Sequence, residues 1–172
     1  VSNQNEEYYA VSYNQMLGNS GLVLNIDTSI YDGQSGEDTP SGIKRDVTSL
    51  RLSTTLSYPV IVDNQQSLIA SVGFNAVNFD DRIRDSNSFR GITSKTNSRA
   101  IVVGAKYNNV SENQFRSVQL NLSKGINSLG ASKSAKANFD SQLNFINQAD
   151  LDFNKVNLNI LQSLVLPKNF KA

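Results

Sequence analysis

Few residues in this sequence are of a type that performs acid, base or nucleophilic chemistry. The 172-residue chain has no histidine and no cysteine. A Ser-His-Asp triad, a thiolate nucleophile and a Cys/His zinc cluster are therefore excluded. The neighbouring carboxylates Glu6-Glu7 and Asp80-Asp81 have the composition of a general acid/base pair, but adjacent carboxylates on strands or loops are usually solvated. We predict no catalytic residue and no enzyme activity.

One glycine pair has the spacing of a phosphate-binding loop. Gly125 and Gly130 stand five residues apart, and such a loop continues with Lys and then Ser or Thr. Ala131 and Ser132 occupy those two places. We therefore reject a phosphate site and predict no cofactor.

A second motif begins like a calcium loop, with alternating carboxylate and amide side chains from Asp150 to Asn154. A calcium loop has glycine at its sixth position and glutamate at its twelfth. Lys155 and Leu161 stand at those positions. We therefore predict no metal site in this chain.

Charge and hydropathy narrow the class of partner. The chain has 16 basic and 15 acidic residues, with a formal net charge of +1, whereas nucleic-acid binding requires a basic field. We therefore predict no nucleic-acid partner. Mean hydropathy is −0.35, and no apolar run approaches the roughly 20 residues of a membrane helix. Mean hydropathy misleads where hydrophobicity alternates, because strands of membrane barrels expose one face to water.

Alternation is clearest from Gln114 to Ala131. Aliphatic side chains occupy every second position at Val118, Leu120 and Leu122, and polar side chains fill the positions between them. A period of two predicts a strand whose two faces meet different surroundings. We expect this strand to stop at Gly125.

The same pattern recurs along the chain and predicts seven strands. They cover residues 6–16, 22–31, 48–58, 67–79, 98–107, 114–125 and 153–166. Pro59 and Pro167 are expected to end the third and the last of them, where a missing amide donor does least harm. The Ser/Lys/Ala/Asn-rich stretch after Gly125 is expected to be a long connection, with extended structure around residues 139–145.

The predicted connections alternate between short and long, at residues 17–21, 32–46, 59–66, 80–97, 108–113 and 125–152. In an up-and-down sheet every second connection lies at the same end. Short turns at one end and long polar loops at the other are typical of an outer-membrane β-barrel. Strands of ten or more residues also suit a tilted membrane crossing. A soluble antiparallel barrel or sandwich is the competing interpretation, because its strands alternate too.

The composition of the two faces favours the membrane barrel. Tyr58 and Tyr107 end apolar faces, as an interfacial girdle requires. The expected lipid-facing residues are Leu22, Leu24, Ile26, Leu50, Leu52, Leu56, Leu68, Val72, Phe74, Ile101, Val103, Val118, Leu120, Leu122, Val156, Leu158 and Ile160. The expected lumen-facing residues are Asn25, Asp27, Arg51, Asn75, Lys106, Gln119, Asn121, Lys155, Asn157 and Asn159.

The lumen-facing cations have two interpretations. Arg51, Lys106 and Lys155 form a charged wall that contacts a passing polypeptide, or they pair with Asp27 and other carboxylates inside the pore.

The number of predicted strands indicates whether this sequence can form a whole barrel. Single-chain bacterial barrels have an even number of strands, and an open sheet edge in lipid costs several kcal/mol per unpaired backbone group. Seven strands therefore predict about half of a larger protein. The start at Val1 agrees with a removed signal peptide or a piece of a longer chain.

Three ordered motifs resemble the two-partner secretion transporters, the hemolysin activation/secretion proteins of the outer membrane. RLSTTLSYPVIVDNQQSLIASVGFN (residues 51–75) contains the strand ending at Tyr58-Pro59, the short turn and the strand resuming at a leucine. LNLSKGINSLGA (residues 120–131) contains the strand closing on Gly125, then Leu129-Gly130 and alanine. DFNKVNLNILQSLVLP (residues 152–167) resembles the strand led by Phe153 and ended by Pro167.

This resemblance implies an all-β fold, an antiparallel up-and-down meander that is an interior piece of a sixteen-stranded transmembrane β-barrel. The piece would hold roughly the fourth to tenth strands, and the POTRA domains and the Arg-containing loop of the family fall outside this sequence. The implied function is an outer-membrane pore of a Gram-negative bacterium. A monomeric barrel would pass a large secreted exoprotein (an adhesin, hemolysin or heme-acquisition protein) in unfolded form.

Two other functions stay open at this point. One is a related outer-membrane insertase or autotransporter-assembly barrel. The other, from a different class, is a soluble β-sandwich adhesin or binding module.

Overall fold

The computed structural model describes residues 5–35, 42–85, 90–138 and 149–164. Nearly all of these residues lie in strands or in the tight turns between them. The strands are β1 (Asn5–Leu17), β2 (Leu22–Ser35), β3 (Ile43–Val62), β4 (Gln66–Asp85), β5 (Gly91–Ser111), β6 (Gln114–Gly125), β7 (Ser132–Ala137) and β8 (Asn154–Leu164).

The strands form one antiparallel sheet. Seven of them stand side by side in the order β1-β2-β3-β4-β5-β6-β8, and β7 pairs with β5. Each of strands β1 to β5 pairs with the next strand in the chain, so the predicted all-β, antiparallel up-and-down meander is confirmed. Within the described ranges the sheet is open, with β1 and β8 at its two edges.

Strand β7 corrects the expectation of one long connection after Gly125. Strand β6 pairs with β5 up to Gly125 opposite Ala100, and β7 resumes the pairing with Ser132 opposite Asn97. The chain therefore makes a six-residue excursion and returns to the same partner strand. Serine, lysine and alanine gave no alternation to detect, because both faces of β7 are polar or small. The extended structure expected at residues 139–145 lies outside the described residues.

The connections expected at residues 32–46 and 80–97 are also largely strand. Strand β3 pairs with β4 from Ile43 opposite Asp85 onward, and β4 pairs with β5 as far as Arg84 opposite Gly91. The charges that indicated loops instead pair across strands here. Lys95 Nζ lies 3.0 Å from Asp80 Oδ2, for example.

The predicted short turns are present at the opposite end. Gly18 and Gly21 close the first hairpin with φ of 69° and 78°, a conformation that glycine adopts at little steric cost. The prediction that Pro59 ends its strand is wrong. Strand β3 continues to Val62 because a register shift between Pro59 and Ile61 accommodates the missing amide donor. Pro167 lies outside the described residues.

No second layer covers the sheet in the described part of the chain. Ala100 and Leu151 are its buried hydrophobic residues, and no large side chain there is fully buried. Leu52, Leu120 and Leu158 remain 41%, 38% and 58% exposed. Among the described residues, no helix has the length and apolar character needed to cross a membrane.

Candidate functional site

The register of the sheet sorts the candidate residues into two sets. In an antiparallel sheet, paired residues point to the same face. The ten polar candidates all fall on one face, called here the polar face: Asn25, Asp27, Arg51, Asn75, Lys106, Gln119, Asn121, Lys155, Asn157 and Asn159. The aliphatic and aromatic residues expected to contact lipid all fall on the other face, the apolar face.

The apolar face is continuous across six strands. One row of paired side chains is entirely aliphatic and consists of Leu24, Leu56, Val72, Val103, Leu122 and Val156. Tyr58 and Tyr107 lie on this face near the short turns, and the Tyr107 hydroxyl donates to Gln66 Oε1 at 3.2 Å. The apolar side chains therefore form a band with a tyrosine on β3 and another on β5 near the short turns.

A hollow of about 690 Å³ lies on the polar face. It is bordered by seven of the ten candidates: Asn25, Asn75, Lys106, Gln119, Asn121, Lys155 and Asn157. Its floor has small residues. A Cβ at Gly104 would lie 2.7 Å from Ser71 Oγ, and a Cβ at Gly73 would lie 2.9 Å from Thr54 O. These two glycines allow neighbouring polar side chains to lie across the sheet.

A second hollow of about 400 Å³ contains Asp27, Arg51 and Asn75. Ser12 Oγ donates to Asp27 Oδ1 at 2.6 Å, and Ser53 Oγ donates to Asn75 Oδ1 at 2.7 Å. Both acceptors belong to one row of paired residues across the sheet. Asn159 borders neither hollow; it lies opposite Gln119 on the same face.

The three cations of the polar face have no ion-pair partner among the described residues. Asp27 is bonded by Ser12, and the ion pairs of the described chain involve residues other than Arg51, Lys106 and Lys155. The structure therefore has no ion pair between Asp27 and any of these three cations. They present positive charge to the space in front of the polar face.

Sequence reasoning did not identify an aromatic cluster at the long-loop end of the polar face. Tyr8, Tyr31 and Phe79 border a hollow of about 390 Å³ together with Arg51. Ser49 lies between Tyr31 and Phe79 in the same row, is buried, and its hydroxyl has no hydrogen-bond partner. In the sequence these aromatic residues occupy strand positions that otherwise hold polar side chains. Only the pairing register between the strands shows that they lie close together.

Two residues of the family-like motifs, Leu129 and Gly130, shape the excursion between β6 and β7. Leu129 and Gly130 adopt φ of 55° and 83°, and Ala131 N donates to Ser128 O at 3.0 Å to close the turn. Arg99 Nε donates to Leu129 O at 3.2 Å. Arg99 Nη1 donates to Val77 O at 3.3 Å and to Ser98 O at 2.8 Å.

The segment before β8 lies over the polar face. Gly125 N donates to Phe153 O at 2.7 Å, and Gly125 belongs to the polar phase of β6 opposite Ala100. Leu151 is buried at this place, while Lys133 Nζ donates to Ala149 O at 2.6 Å. A short stretch of chain therefore covers part of the polar face beside β6 and β7.

Comparison with known proteins leaves the function to be argued from this geometry. The described residues contain no group of three or more Asp, Glu, His or Cys side chains arranged to hold a metal ion. A scan against protein-family models, a search of curated proteins and a search of solved structures each returned no significant match.

Proposed function

We propose that this chain forms part of the wall of an outer-membrane pore that passes a large secreted protein in unfolded form. The observation that carries the proposal is the uncovered apolar face of a single-layer sheet. Aliphatic side chains on a surface of this extent indicate a hydrophobic neighbour. No protein layer provides one within the described residues, and lipid acyl chains would.

The shape of the apolar band supports a membrane boundary. Towards the long-loop end, the last apolar residues of successive strands are Leu50, Ala76, Ile101, Leu122 and Val156. Ala76 pairs with Leu52, Ile101 with Phe74, and Leu122 with Val103, so the edge moves one same-face position at each of three crossings.

The displacement of the band edge along the strands gives the angle between the edge and the strands. Three same-face steps amount to about 20 Å along the strands, and the four strand spacings from β3 to β8 amount to about 19 Å. The edge of the band therefore crosses the strands at roughly 45°, close to the strand tilt of about 35–45° in outer-membrane barrels. A flat membrane surface meeting tilted strands would produce this oblique edge.

The height of the band is also suitable. On β4 the apolar positions run from Leu68 to Ala76, which is about 27 Å along an extended strand. A tilt of about 40° reduces this to about 20 Å, comparable with the apolar band of about 25 Å in such barrels.

The polar face supplies the path in this proposal. An unfolded polypeptide presents backbone amides and mixed side chains, and the Asn, Gln and Ser side chains of the polar face hydrogen-bond such groups without selecting one sequence. Lys106 and Lys155 border the hollow of about 690 Å³ and add a weak attraction for acidic segments. Transport would be driven by folding of the exported protein outside the cell, so no catalytic residue is required.

The two free edges of the sheet require further strands in a membrane. Unpaired backbone groups of β1 and β8 would cost several kcal/mol each in lipid. We propose that additional strands close the sheet into a monomeric sixteen-stranded barrel, in which these seven neighbouring strands form an interior piece.

The test uses the absence of cysteine from this sequence. Single-cysteine variants Leu52→Cys and Leu120→Cys probe the apolar face, and Asn75→Cys and Gln119→Cys probe the polar face. Spin labels are attached to the protein in its full length, which is then reconstituted in phosphatidylcholine vesicles. We expect labels at 52 and 120 to be relaxed mainly by oxygen and labels at 75 and 119 mainly by a water-soluble nickel complex. Equal access of the nickel complex to all four would contradict the proposal.

A further inference from the structure

We infer that cations beyond the edge of the apolar band form a binding surface for phosphate-bearing headgroups of anionic lipids. This surface, the cationic patch, consists of Arg82, Lys95, Arg99, Lys124 and Lys136. It lies on the apolar side of β4 to β7, towards the long-loop end. The inference rests on the proposed function, because a lipid surrounds this face only if the sheet spans a membrane.

The patch begins where the apolar side chains stop. Arg99 is the next residue after Ile101 on the same face of β5, and Lys124 is the next after Leu122 on β6. Lys124 is paired with Ile101 in the register, so the two cations are diagonal neighbours. A headgroup attached to acyl chains on Ile101 and Leu122 would meet Arg99 and Lys124 first. Lys124 Nζ also lies 2.6 Å from Asp152 Oδ1, and Arg99 keeps its charge while it donates to backbone carbonyls.

Farther along the strands, two cations share one carboxylate. Arg82 Nη2 and Lys95 Nζ each lie 3.0 Å from Asp80 Oδ2. Asp46 lies opposite Arg82 in the register and is ion-paired with Arg84, so the three cations and two carboxylates together carry a net positive charge. The side chains of Arg82, Lys95 and Asp80 are partly exposed. An anionic group can therefore approach both cations without displacing Asp80.

Lys136 completes this group from the other side of β5. Arg82 is paired with Thr93 and Thr93 with Lys136, so two cations flank one hydroxyl in a single row. Lys95 lies one same-face step nearer the band. Arg82, Lys95 and Lys136 thus surround the Thr93 hydroxyl, and their guanidinium and ammonium donors suit a phosphate with several acceptor oxygens.

The distances suit a membrane interface. Lys95 is four residues beyond Arg99, which places it about 13 Å farther along the strand and about 10 Å farther than Arg99 from the membrane core after a tilt of about 40°. Long lysine and arginine side chains extend back towards the interface, so the patch spans the headgroup layer.

The charge is also localised on the sheet. On the same face and end, β1 and β2 carry the carboxylates Glu7 and Asp32, which pair in the register. A net basic region on β4 to β7 therefore stands beside an acidic region. Anionic headgroups would gather at one side of the sheet.

The experiment measures lipid enrichment around the full-length protein. Vesicles contain phosphatidylcholine with one-fifth phosphatidylglycerol, on the order of a natural anionic fraction. The protein is extracted with a small amount of detergent, and bound lipids are counted by native mass spectrometry. The test variant is Lys124→Gln/Lys136→Gln, and the matched control is Lys106→Gln/Lys155→Gln on the polar face, which removes the same charge.

We expect phosphatidylglycerol to be enriched over phosphatidylcholine around the natural sequence. The test variant should lower this enrichment at least fivefold, since each interfacial cation contributes a factor of about five, and the control should change it less than twofold. Equal losses in both variants, or no loss in the test variant, would overturn the inference. Release of phosphatidylglycerol by inorganic phosphate at constant ionic strength would also overturn it, because the site would then recognise free phosphate.

Flotation with pure phosphatidylcholine vesicles separates this inference from the proposed function. A protein that does not float with these neutral vesicles contradicts membrane insertion itself. A protein that floats but shows no enrichment of phosphatidylglycerol contradicts the cationic patch alone.

Discussion

Gly125 lies directly beneath Phe153, with no room for a side chain between them. Gly125 N donates to Phe153 O at 2.7 Å, and a Cβ at position 125 would come within 2.7 Å of Phe153 Cδ1 and 2.8 Å of Phe153 N. The carbonyl oxygen of Leu151 lies closer still. Two of these three atoms belong to the backbone, so a side-chain rotation cannot remove the conflict.

Replacing Gly125 therefore tests the close contact between β6 and the segment before β8. We expect Gly125→Val to destabilise the protein by about 1–3 kcal/mol, the usual cost of overpacking a close contact. The measurement is the free energy of unfolding in urea after refolding into detergent micelles. Ser123→Ala, two residues earlier on the same strand and face, is the control and should change the free energy by less than about 0.5 kcal/mol. Equal effects of the two substitutions would contradict the close contact.

Arg99 provides a second test, at the excursion between β6 and β7. Its guanidinium donates to the carbonyls of Leu129, Val77 and Ser98. Bonds from a charged donor contribute about 1.5–3 kcal/mol, so Arg99→Gln should loosen the turn. We expect amide hydrogen exchange to rise at least tenfold at Ala131, whose amide closes the turn.

Lys124→Gln is the control for that experiment. Lys124 lies on the neighbouring strand and pairs with the exposed Asp152, away from the turn. Its loss should leave exchange at Ala131 within about twofold, since exposed ion pairs contribute little. Unchanged exchange in Arg99→Gln would show that the turn holds without the guanidinium.

The alternation of side chains predicted the face of each candidate residue. Leu24, Leu120 and Leu158 fall on one face, and Asn25 and Gln119 on the other, because a period of two fixes sidedness wherever the two faces differ in polarity. The up-and-down order followed from the short turns, whose glycine and asparagine residues mark tight hairpins.

Strand length and the second pairing of β5 were not predictable in this way. Beyond Leu50 and Ala76 the alternation changes phase. Val47, Val77 and Phe79 lie on the polar-face side and Asp80 on the other, so the pattern of the preceding residues does not extend although the backbone ladder continues to Asp85. Ser132 returns to β5 after six residues, and local sequence does not encode which partner a short polar strand selects. The cluster of Tyr8 with Phe79 likewise depends on register between strands distant in sequence.

The turn between β3 and β4 should respond to acid. The backbone amide of Gln65 donates to the Asp63 carboxylate at 2.6 Å and the side-chain amide of Gln66 donates at 3.2 Å, and these bonds, in that order, lower the pKa of Asp63. A lowered pKa in the folded state means that the stabilisation is present above the unfolded-state value of about 3.9. It is lost as the pH falls through the lower folded-state pKa.

The loss of stabilisation in acid is measured by amide protection factors at Gln65 and Gln66, which are normalised for intrinsic exchange. The measurement runs from pH 6 to pH 2, a range of ~4 units that spans the carboxylate titration. We expect constant protection above about pH 4 and a decline in more acidic buffer. Asp63→Asn keeps an acceptor oxygen but does not titrate, so its protection should be nearly independent of pH. A decline of the same size in the variant would assign the acid response to another group.

In the proposed pore, the lysines of the polar face should set the ion selectivity. Lys106 and Lys155 border the same hollow and have no ion-pair partner among the described residues. In a closed barrel these charges would attract anions into the lumen and repel cations. Lys106→Glu/Lys155→Glu reverses the charge at both positions, so the reversal potential in a KCl gradient should shift towards cation selectivity in planar bilayers.

Lys124→Glu/Lys136→Glu changes the net charge by the same amount on the opposite face and is the control for this measurement. Lipid and the wall of the barrel would separate these two positions from the lumen, so the reversal potential should stay within a few millivolts of that of the unmodified pore. High salt should reduce the difference between the two variants, because the screening length falls from about 10 Å at 0.1 M to about 3 Å at 1 M. If the two double substitutions shifted the potential equally, the polar face would not line the conducting path.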